Sequence, residues 1–321
     1  MMKKFCLNIV FVTLLTLALL TAMDFCVTSG LRKSHALHFD TMTGIFKGDI
    51  NADLIVMGSS RAKGQVNPHM LDSALWLNSY NLGQEGAGFE IQNLIYKLYR
   101  EHNSKPDYIV HIVGLETVRP EAVLYNHIKF APYLDHELIK AISLKLPGFD
   151  KYDHHMPFAR YIGFPDETFH GFANFLGIEF GTNDREYKGF RFPMEEWTDI
   201  PFLETVDGER VEERLAPDPG LMSEMSAYLK ECKKEGIEVV LVWPPNYYET
   251  LAYLPTLEAM KNVFESYALE FEIPFLDYSY DSLGRSREYF ADYEHLNKKG
   301  AEIFSRKLSQ DLKKIIQAHG P

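Results

Sequence analysis

The 321-residue chain has little cysteine and no excess of positive charge. It holds three cysteines, and 33 lysines and arginines stand against 45 aspartates and glutamates, for a formal net charge of -12. Cys6 and Cys26 lie in or beside the apolar N-terminal run, which leaves Cys232 alone in the body. No disulfide can therefore form within the body, which excludes a small disulfide-built scaffold. The acidic balance gives no general attraction to nucleic acid or to anionic lipid surfaces, so neutral or modestly charged ligands are expected. There is no internal repeat and no low-complexity tract. With 46% hydrophobic and 24% charged residues, the composition is that of a globular protein long enough for one elaborated α/β domain.

One long apolar run is present. After Lys3 and Lys4, Phe5 to Met23 is interrupted only by Asn8 and three threonines, and it ends at Asp24. Such a run can span a bilayer. Thr21-Ala22-Met23-Asp24-Phe25-Cys26 offers no clear signal-peptidase site, and the residues before Cys26 do not read as a lipid-attachment box. Residues 1–30 are therefore expected to be an uncleaved anchor, with a cleaved signal and a secreted body as the alternative. The two lysines favour a cytoplasmic N-terminus, against the opposing vote of Arg32 and Lys33. Residues 31–321 would then lie outside the cytoplasm.

The body alternates strand and helix patterns. Asp53 to Met57, Asp107 to Val113, Ile237 to Trp243 and Ile273 to Leu276 read as buried parallel strands, with a weaker one through Leu75 to Leu82. Phe89 to His102, Leu221 to Glu235, Thr256 to Leu269 and Asn297 to Gln317 read as helices; in the last, Asn297 is an N-cap and Ala301, Phe304, Leu308, Leu312 and Ile315 form one stripe. The pattern predicts a three-layer αβα sandwich around a mostly parallel, flavodoxin-like sheet of about five strands. An insertion at about 119–219 interrupts it with no clear strand. It is rich in aromatic residues: Phe158, Tyr161, Phe164, Phe169, Phe172, Phe175, Phe180, Tyr187, Phe190, Phe192 and Trp197. These residues either contact sugar or build the insertion's own small core.

Loops after parallel strands converge on one sheet edge, so Gly58-Ser59-Ser60-Arg61, Asn81-Leu82-Gly83 and Asp292-Tyr293-Glu294-His295 can meet there. A serine hydroxyl becomes a nucleophile when an imidazole takes its proton, and a carboxylate fixes that imidazole's tautomer. Ser60, His295 and Asp292 are the candidate set, with the amides of Ser60 and Gly83 as oxyanion donors. Each signal has an ordinary reading too. Gly-Ser-Ser can be a plain strand-to-helix turn or a phosphate site, and Asp292 can merely close a turn.

These residues resemble the SGNH/GDSL hydrolase superfamily, in particular its membrane-anchored branch associated with surface-polymer acylation, of the D-alanyl-lipoteichoic acid and alginate O-acetylation type. Gly58-Ser59-Ser60 is similar to the first family block, with Ser59 in place of the usual aspartate. Arg61 followed by Asn67-Pro68 is similar to that branch, Gly83 to the second block, and Asp292 with His295 to the last. The third block departs: where the family has Gly-x-Asn-Asp, this chain has Gly114-Leu115-Glu116-Thr117. A carboxylate at Glu116 cannot donate to an oxyanion unless protonated. The resemblance implies a serine esterase or O-acyltransferase acting on a surface polysaccharide or glycolipid, supplied by a membrane acyl-donor protein. The departure leaves an atypical transferase or an inactive glycan-binding or scaffold relative as the readings to separate.

Arg61, Glu116, Trp243 and Asn246 are the candidate pocket residues; Trp243-Pro244-Pro245-Asn246-Tyr247-Tyr248 could equally be a rigid turn. Asp150, Asp153, His154 and His155 are grouped, but adjacent histidines lack metal-ligand spacing, so a solvated loop is expected there. No cofactor or metal is called for. Cys232 is expected to be a packing residue.

Overall fold

The computed structural model describes residues 1–36, 38–178, 186–198, 217–251 and 257–319. Phe180, residues 199–216 of the expected insertion, and Thr256 at the start of an expected helix lie outside the described residues. The chain forms two compact units: Met1–Lys47 with Ala122–Asp184, and Gly48–Glu121 with Arg185–Pro321.

The strands are β1 (Leu54–Met57), β2 (Ser79–Asn81), β3 (Tyr108–Ile112), β4 (Glu186–Tyr187), β5 (Phe190–Arg191), β6 (Glu238–Trp243) and β7 (Phe275–Asp277). The helices are α1 (Met2–Leu31), α2 (Asp40–Lys47), α3 (Ser60–Gln65), α4 (Pro68–Leu75), α5 (Phe89–His102), α6 (Glu137–Lys145), α7 (Lys151–His155), α8 (Pro165–Phe175), α9 (Pro219–Glu235), α10 (Tyr248–Leu251), α11 (Leu257–Phe271) and α12 (Lys298–His319).

In the second unit, five strands form a parallel sheet in the order β2-β1-β3-β6-β7. The period-two alternation of each strand sorts its side chains between the faces. Val56, Val110 and Val240 lie in register across three strands, as do Ile112 and Val242. Together with Leu54 they pack under Phe304, Leu308 and Leu312 of α12. Met57, His111 and Leu241 form the register row of the opposite face. There Tyr228 of α9 meets Met57, and Gln92 of α5 bonds His111. Burial without a charged partner pushes the His111 pKa down to about 3, so it sits in the core as a neutral imidazole. Cys232 is buried on this side, its thiol pushed up to about 12 by burial.

Two differences from the sequence pattern have local causes. The expected strand through Leu75 to Leu82 shortens to Ser79–Asn81, because Asn67 caps α4, Pro68 opens it, and the helix runs to Leu75 before Trp76 turns left-handed at φ 59°. The expected strandless insertion contains the β4–β5 hairpin, turned through Lys188-Gly189. Its Lys188 carbonyl accepts the Asn81 N–H, so the hairpin covers an otherwise open sheet edge.

Strand order reverses between β1 and β3, so the loops leaving these two strands diverge and open a crevice at the C-terminal edge of the sheet. Gly58 makes the turn out of β1. Its φ is 140°, and a Cβ there would lie 2.6 Å from the Ile112 carbonyl oxygen and 2.8 Å from Ala62 Cβ. Gly58→Ala is therefore expected to cost roughly 2–4 kcal/mol of stability, from backbone strain plus the clash. Urea unfolding would show this as a lowered midpoint.

In the first unit, Val27 and Leu31 at the end of α1 pack with Phe39, Ile128, Ala131 and Tyr161, joined by Phe149, Phe158, Phe164 and Phe172. Much of the aromatic content of residues 122–178 thus builds a small core around the end of α1. The Asp150 and Asp153 carboxylates accept backbone N–H groups and cap α7. The α1 helix has a mean hydropathy of 2.3 in its most apolar window and is long enough to cross a membrane.

Candidate active site

Ser60 is the first residue of α3, delivered to the sheet edge by the Gly58 turn. His295 and Asp292 lie on the loop before α12. That loop is pinned by Ala291 N–H to the His295 carbonyl at 2.8 Å and Asn297 N–H to the Tyr289 carbonyl at 2.9 Å. Asn297 reinforces it, donating from Nδ2 to Glu288 O at 2.8 Å and accepting Gly300 N–H at 3.0 Å as the cap of α12. The two loops are also tied together. Gln65 Nε2 donates to Glu294 O at 3.2 Å, while Ser305 Oγ donates to Gln65 O at 3.0 Å and accepts Asn67 N–H at 2.9 Å.

Within this frame Ser60 Oγ is 2.8 Å from His295 Nε2, and His295 Nδ1 is 2.9 Å from both Asp292 oxygens. A carboxylate can only accept, so Nδ1 carries the proton, Nε2 is the acceptor, and the Ser60 hydroxyl donates. Asp292 also closes its own turn, since Oδ1 accepts Glu294 N–H at 2.7 Å and His295 N–H at 2.8 Å. Asp292 thus makes the local turn bonds and the contact with the His295 ring at the same time. Burial alone would depress the His295 pKa, but the Asp292 hydrogen bond and charge, aided by Glu294, raise it above the ordinary 6.5. Asp292 responds in the opposite sense. Burial would raise its pKa, and hydrogen bonds from the His295 ring and the loop N–H groups bring it below the usual carboxylate value.

The other expected site residues divide. Arg61 is buried and spans to the end of β6, donating from Nη2 to Pro244 O, Pro245 O and Asn246 Oδ1 at 3.1, 2.9 and 2.7 Å. Burial lowers its pKa, opposed by the charges of Glu116 and Glu294. Arg61 and Asn246 are thus neighbours of Ser60 that lock the Pro244-Pro245 turn. Glu116 accepts the Ser59 hydroxyl at 2.6 Å, which joins the turn after β1 to the loop after β3.

Two expectations need correction. Trp243 is wholly buried and packs edge-on against Phe264 at 5.9 Å, so it belongs to the core. The Gly83 amide is not a free oxyanion donor, because it donates to Asn81 Oδ1 at 2.8 Å. The Ser60 amide, in the first turn of α3 where no intrahelical acceptor exists, has no acceptor among the described residues.

The roles of Asn81, Gln65 and Ser305 went unseen in the sequence. Asn81 is fully buried, and its Nδ2 donates to Ala62 O and Val66 O at 2.7 and 2.8 Å, which anchors the helix that carries Ser60. An asparagine closing a strand just before the glycine block was the available signal. Asn81→Ala strands the Val66 carbonyl and the Gly83 amide in the interior, while Ala62 O keeps the Val66 N–H; it is expected to cost roughly 2–4 kcal/mol, measurable as a lowered urea midpoint.

A cleft of about 270 Å³ is walled by Gly86, Gly88, Leu115, Glu116, Arg119 and Glu294, residues of the loops after β2 and β3 and of the His295 loop. Surrounding protein raises the Glu294 pKa, with Glu116 and Asp292 adding to the rise and His295 and Arg61 opposing it. Nearby, Trp197 packs on Tyr293 at 5.0 Å and on Tyr247 at 5.4 Å, with the Arg287 guanidinium 4.7 Å over its ring.

No family model and no curated protein matches the chain. Among solved structures, it is similar to a candidate acylhydrolase from Bacteroides fragilis at 14% identity, over 82% of this chain and 87% of that one, with a TM-score of 0.38. It is also similar to a protein described as a candidate platelet activating factor from Streptococcus pneumoniae, at 12% identity over 95% of this chain and 99% of that one, with a TM-score of 0.40.

Proposed function

We propose that the chain is a membrane-tethered serine acyl hydrolase or O-acyltransferase whose body faces away from the cytoplasm and acts on a surface glycan or glycolipid. The observation that carries the reading is the continuous relay from Ser60 Oγ through the His295 ring to Asp292, at 2.8 and 2.9 Å. His295 Nε2 takes the Ser60 proton as Oγ attacks the acyl carbonyl, and the Ser60 amide donates to the oxyanion. His295 then protonates the departing alcohol, leaving an acyl ester on Ser60. Water or a sugar hydroxyl, deprotonated by His295, attacks that ester and frees Ser60. Water as acceptor gives hydrolysis, and a sugar hydroxyl gives transfer. The apolar α1 and the absence of a clear cleavage site support tethering, and tethering favours transfer from a membrane acyl-donor protein. Trp197 and Tyr293, both partly exposed and packed on each other, offer aromatic surface suited to sugar.

A second reading, a non-catalytic glycan-binding or scaffold protein of a surface-polymer assembly complex, is favoured by two observations. Glu116 accepts from Ser59 where a donor was expected, and the Gly83 amide is already bonded. Treating the full chain in detergent with a fluorophosphonate probe separates the two. The enzyme reading expects labelling that vanishes in Ser60→Ala. Labelling unchanged in that variant, or absent from both proteins, goes against it.

A further inference from the structure

The Asp24 carboxylate closes the apolar run of α1 and is held by three donors from one turn of the first unit. Phe158 N–H donates to it at 3.0 Å, Arg160 Nε at 3.1 Å and Arg160 Nη2 at 2.6 Å. Phe5 to Met23 as helix is about 28 Å long, close to the roughly 30 Å hydrocarbon thickness of a bilayer. The Asp24–Arg160 pair therefore marks the level at which α1 leaves the membrane, and exposed apolar side chains adjoin the turn that holds it. Ile162 is 72% exposed and Met156 is 52% exposed, both within a few residues of Phe158 and Arg160.

The α8 helix brings more apolar surface to the same level. It runs antiparallel to α1, with Gly171 against Val27 and Leu31 and with Phe175 against Phe25, so its C-terminus points toward the bilayer. The contact is backbone to backbone, since a Cβ on Gly30 would lie 1.8 Å from the Gly171 carbonyl oxygen. The acidic residues of α8, Asp166 and Glu167, sit at its N-terminal end. At the other end, Phe175 meets Phe25 edge-on at 6.1 Å, and Leu176 and Ile178 are 70% and 49% exposed. Water would be a poor solvent for so much clustered apolar surface, whereas aromatic and aliphatic side chains at the headgroup boundary are stabilised there.

We propose that the first unit rests in the membrane interface through a collar around the exit of α1, formed by Phe25, Met156, Ile162, Phe175, Leu176 and Ile178, with the lipid bilayer as its partner. The proposal rests on the reading of α1 as the anchor. It adds a second, peripheral contact made by α8 and the turn that holds Asp24. The consequence is orientational: a single helix leaves the first unit free to tilt, and a collar on one side of it removes that freedom.

The test uses the full chain in phosphatidylcholine vesicles containing doxyl-labelled lipid. A fluorophore is placed at single cysteines introduced at Leu14, Phe25, Lys33, Ile162 and Leu176, with Cys6 and Cys26 changed to serine. Cys232 stays, since it is buried and its thiol is pushed up to about 12. Lys33 follows the end of α1 at Leu31, which lies about 9 Å beyond Phe25 along the helix axis, and reports the aqueous side. The collar predicts quenching at Ile162 and Leu176 comparable to Phe25 and about threefold stronger than at Lys33, as depth in the bilayer demands. Quenching at Leu14 and Phe25 with Ile162 and Leu176 no different from Lys33 overturns the collar and leaves the anchor intact. An unquenched Leu14 overturns the anchor reading itself, and the collar with it.

Discussion

Ser60→Ala is expected to lower the turnover of an activated acyl ester by roughly 10⁴-fold, equivalent to about 5.5 kcal/mol of transition-state stabilisation. The residual rate would come from binding and the remaining oxyanion donor. The loss should fall on kcat, because the hydroxyl is the atom that bonds to the acyl carbon and contributes little to holding the substrate. Ser60 is half-buried at the start of α3, and the cap on that helix is the side chain of Ser59. The variant should therefore unfold at nearly the wild-type urea concentration. A kcat within tenfold of wild type would remove Ser60 from the mechanism.

Asp292→Asn is expected to cost about as much, on the order of 10³–10⁴-fold, through a different cause. Asparagine Oδ1 can still accept from the loop N–H groups, so the turn at residues 292–295 should persist. Its amide group can instead donate to Nδ1, which places the imidazole proton on Nε2 and leaves no acceptor for the Ser60 proton. The pH profile gives an independent readout. His295 must be neutral to act as base, and its pKa lies above 6.5 chiefly because the Asp292 hydrogen bond and charge outweigh the effect of burial. For the wild type, kcat/KM should therefore fall as the pH drops through a value above 6.5. In Asp292→Asn the same limb should move to lower pH, since burial is then opposed mainly by Glu294. A limb that stays in place, or moves upward, would show that Asp292 does not set the charge of His295.

The centre of the sheet could be read from the sequence because β1, β3 and β6 are largely buried on both faces and appear as mostly apolar runs, each closed by a glycine or a proline. The position of Ser60 followed from the same logic, as a hydroxyl just after a strand that ends in glycine. His295 and Asp292 were legible because both lie on one short loop before a helix with a clear cap. What escaped depended on partners distant in sequence. Whether the Gly83 amide is free depends on the rotamer of Asn81, and whether Trp243 faces a cleft or the core depends on Phe264 of α11. The grouping of residues 122–184 with the N-terminal 47 residues rests on contacts such as Gly30 with Gly171, which no local periodicity reports. The bond between Ser59 and Glu116 likewise joins two loops distant in sequence, which neither segment reports by itself.

The most direct test of the central claim is to find the acyl group on the enzyme. Wild-type chain mixed with an activated acyl ester and quenched in acid should yield a peptide containing residues 59–61 with the acyl group esterified to Ser60, and the adduct should be absent in Ser60→Ala. An acyl group found only on another residue, or turnover of the ester with no adduct at any time after mixing, would contradict the account.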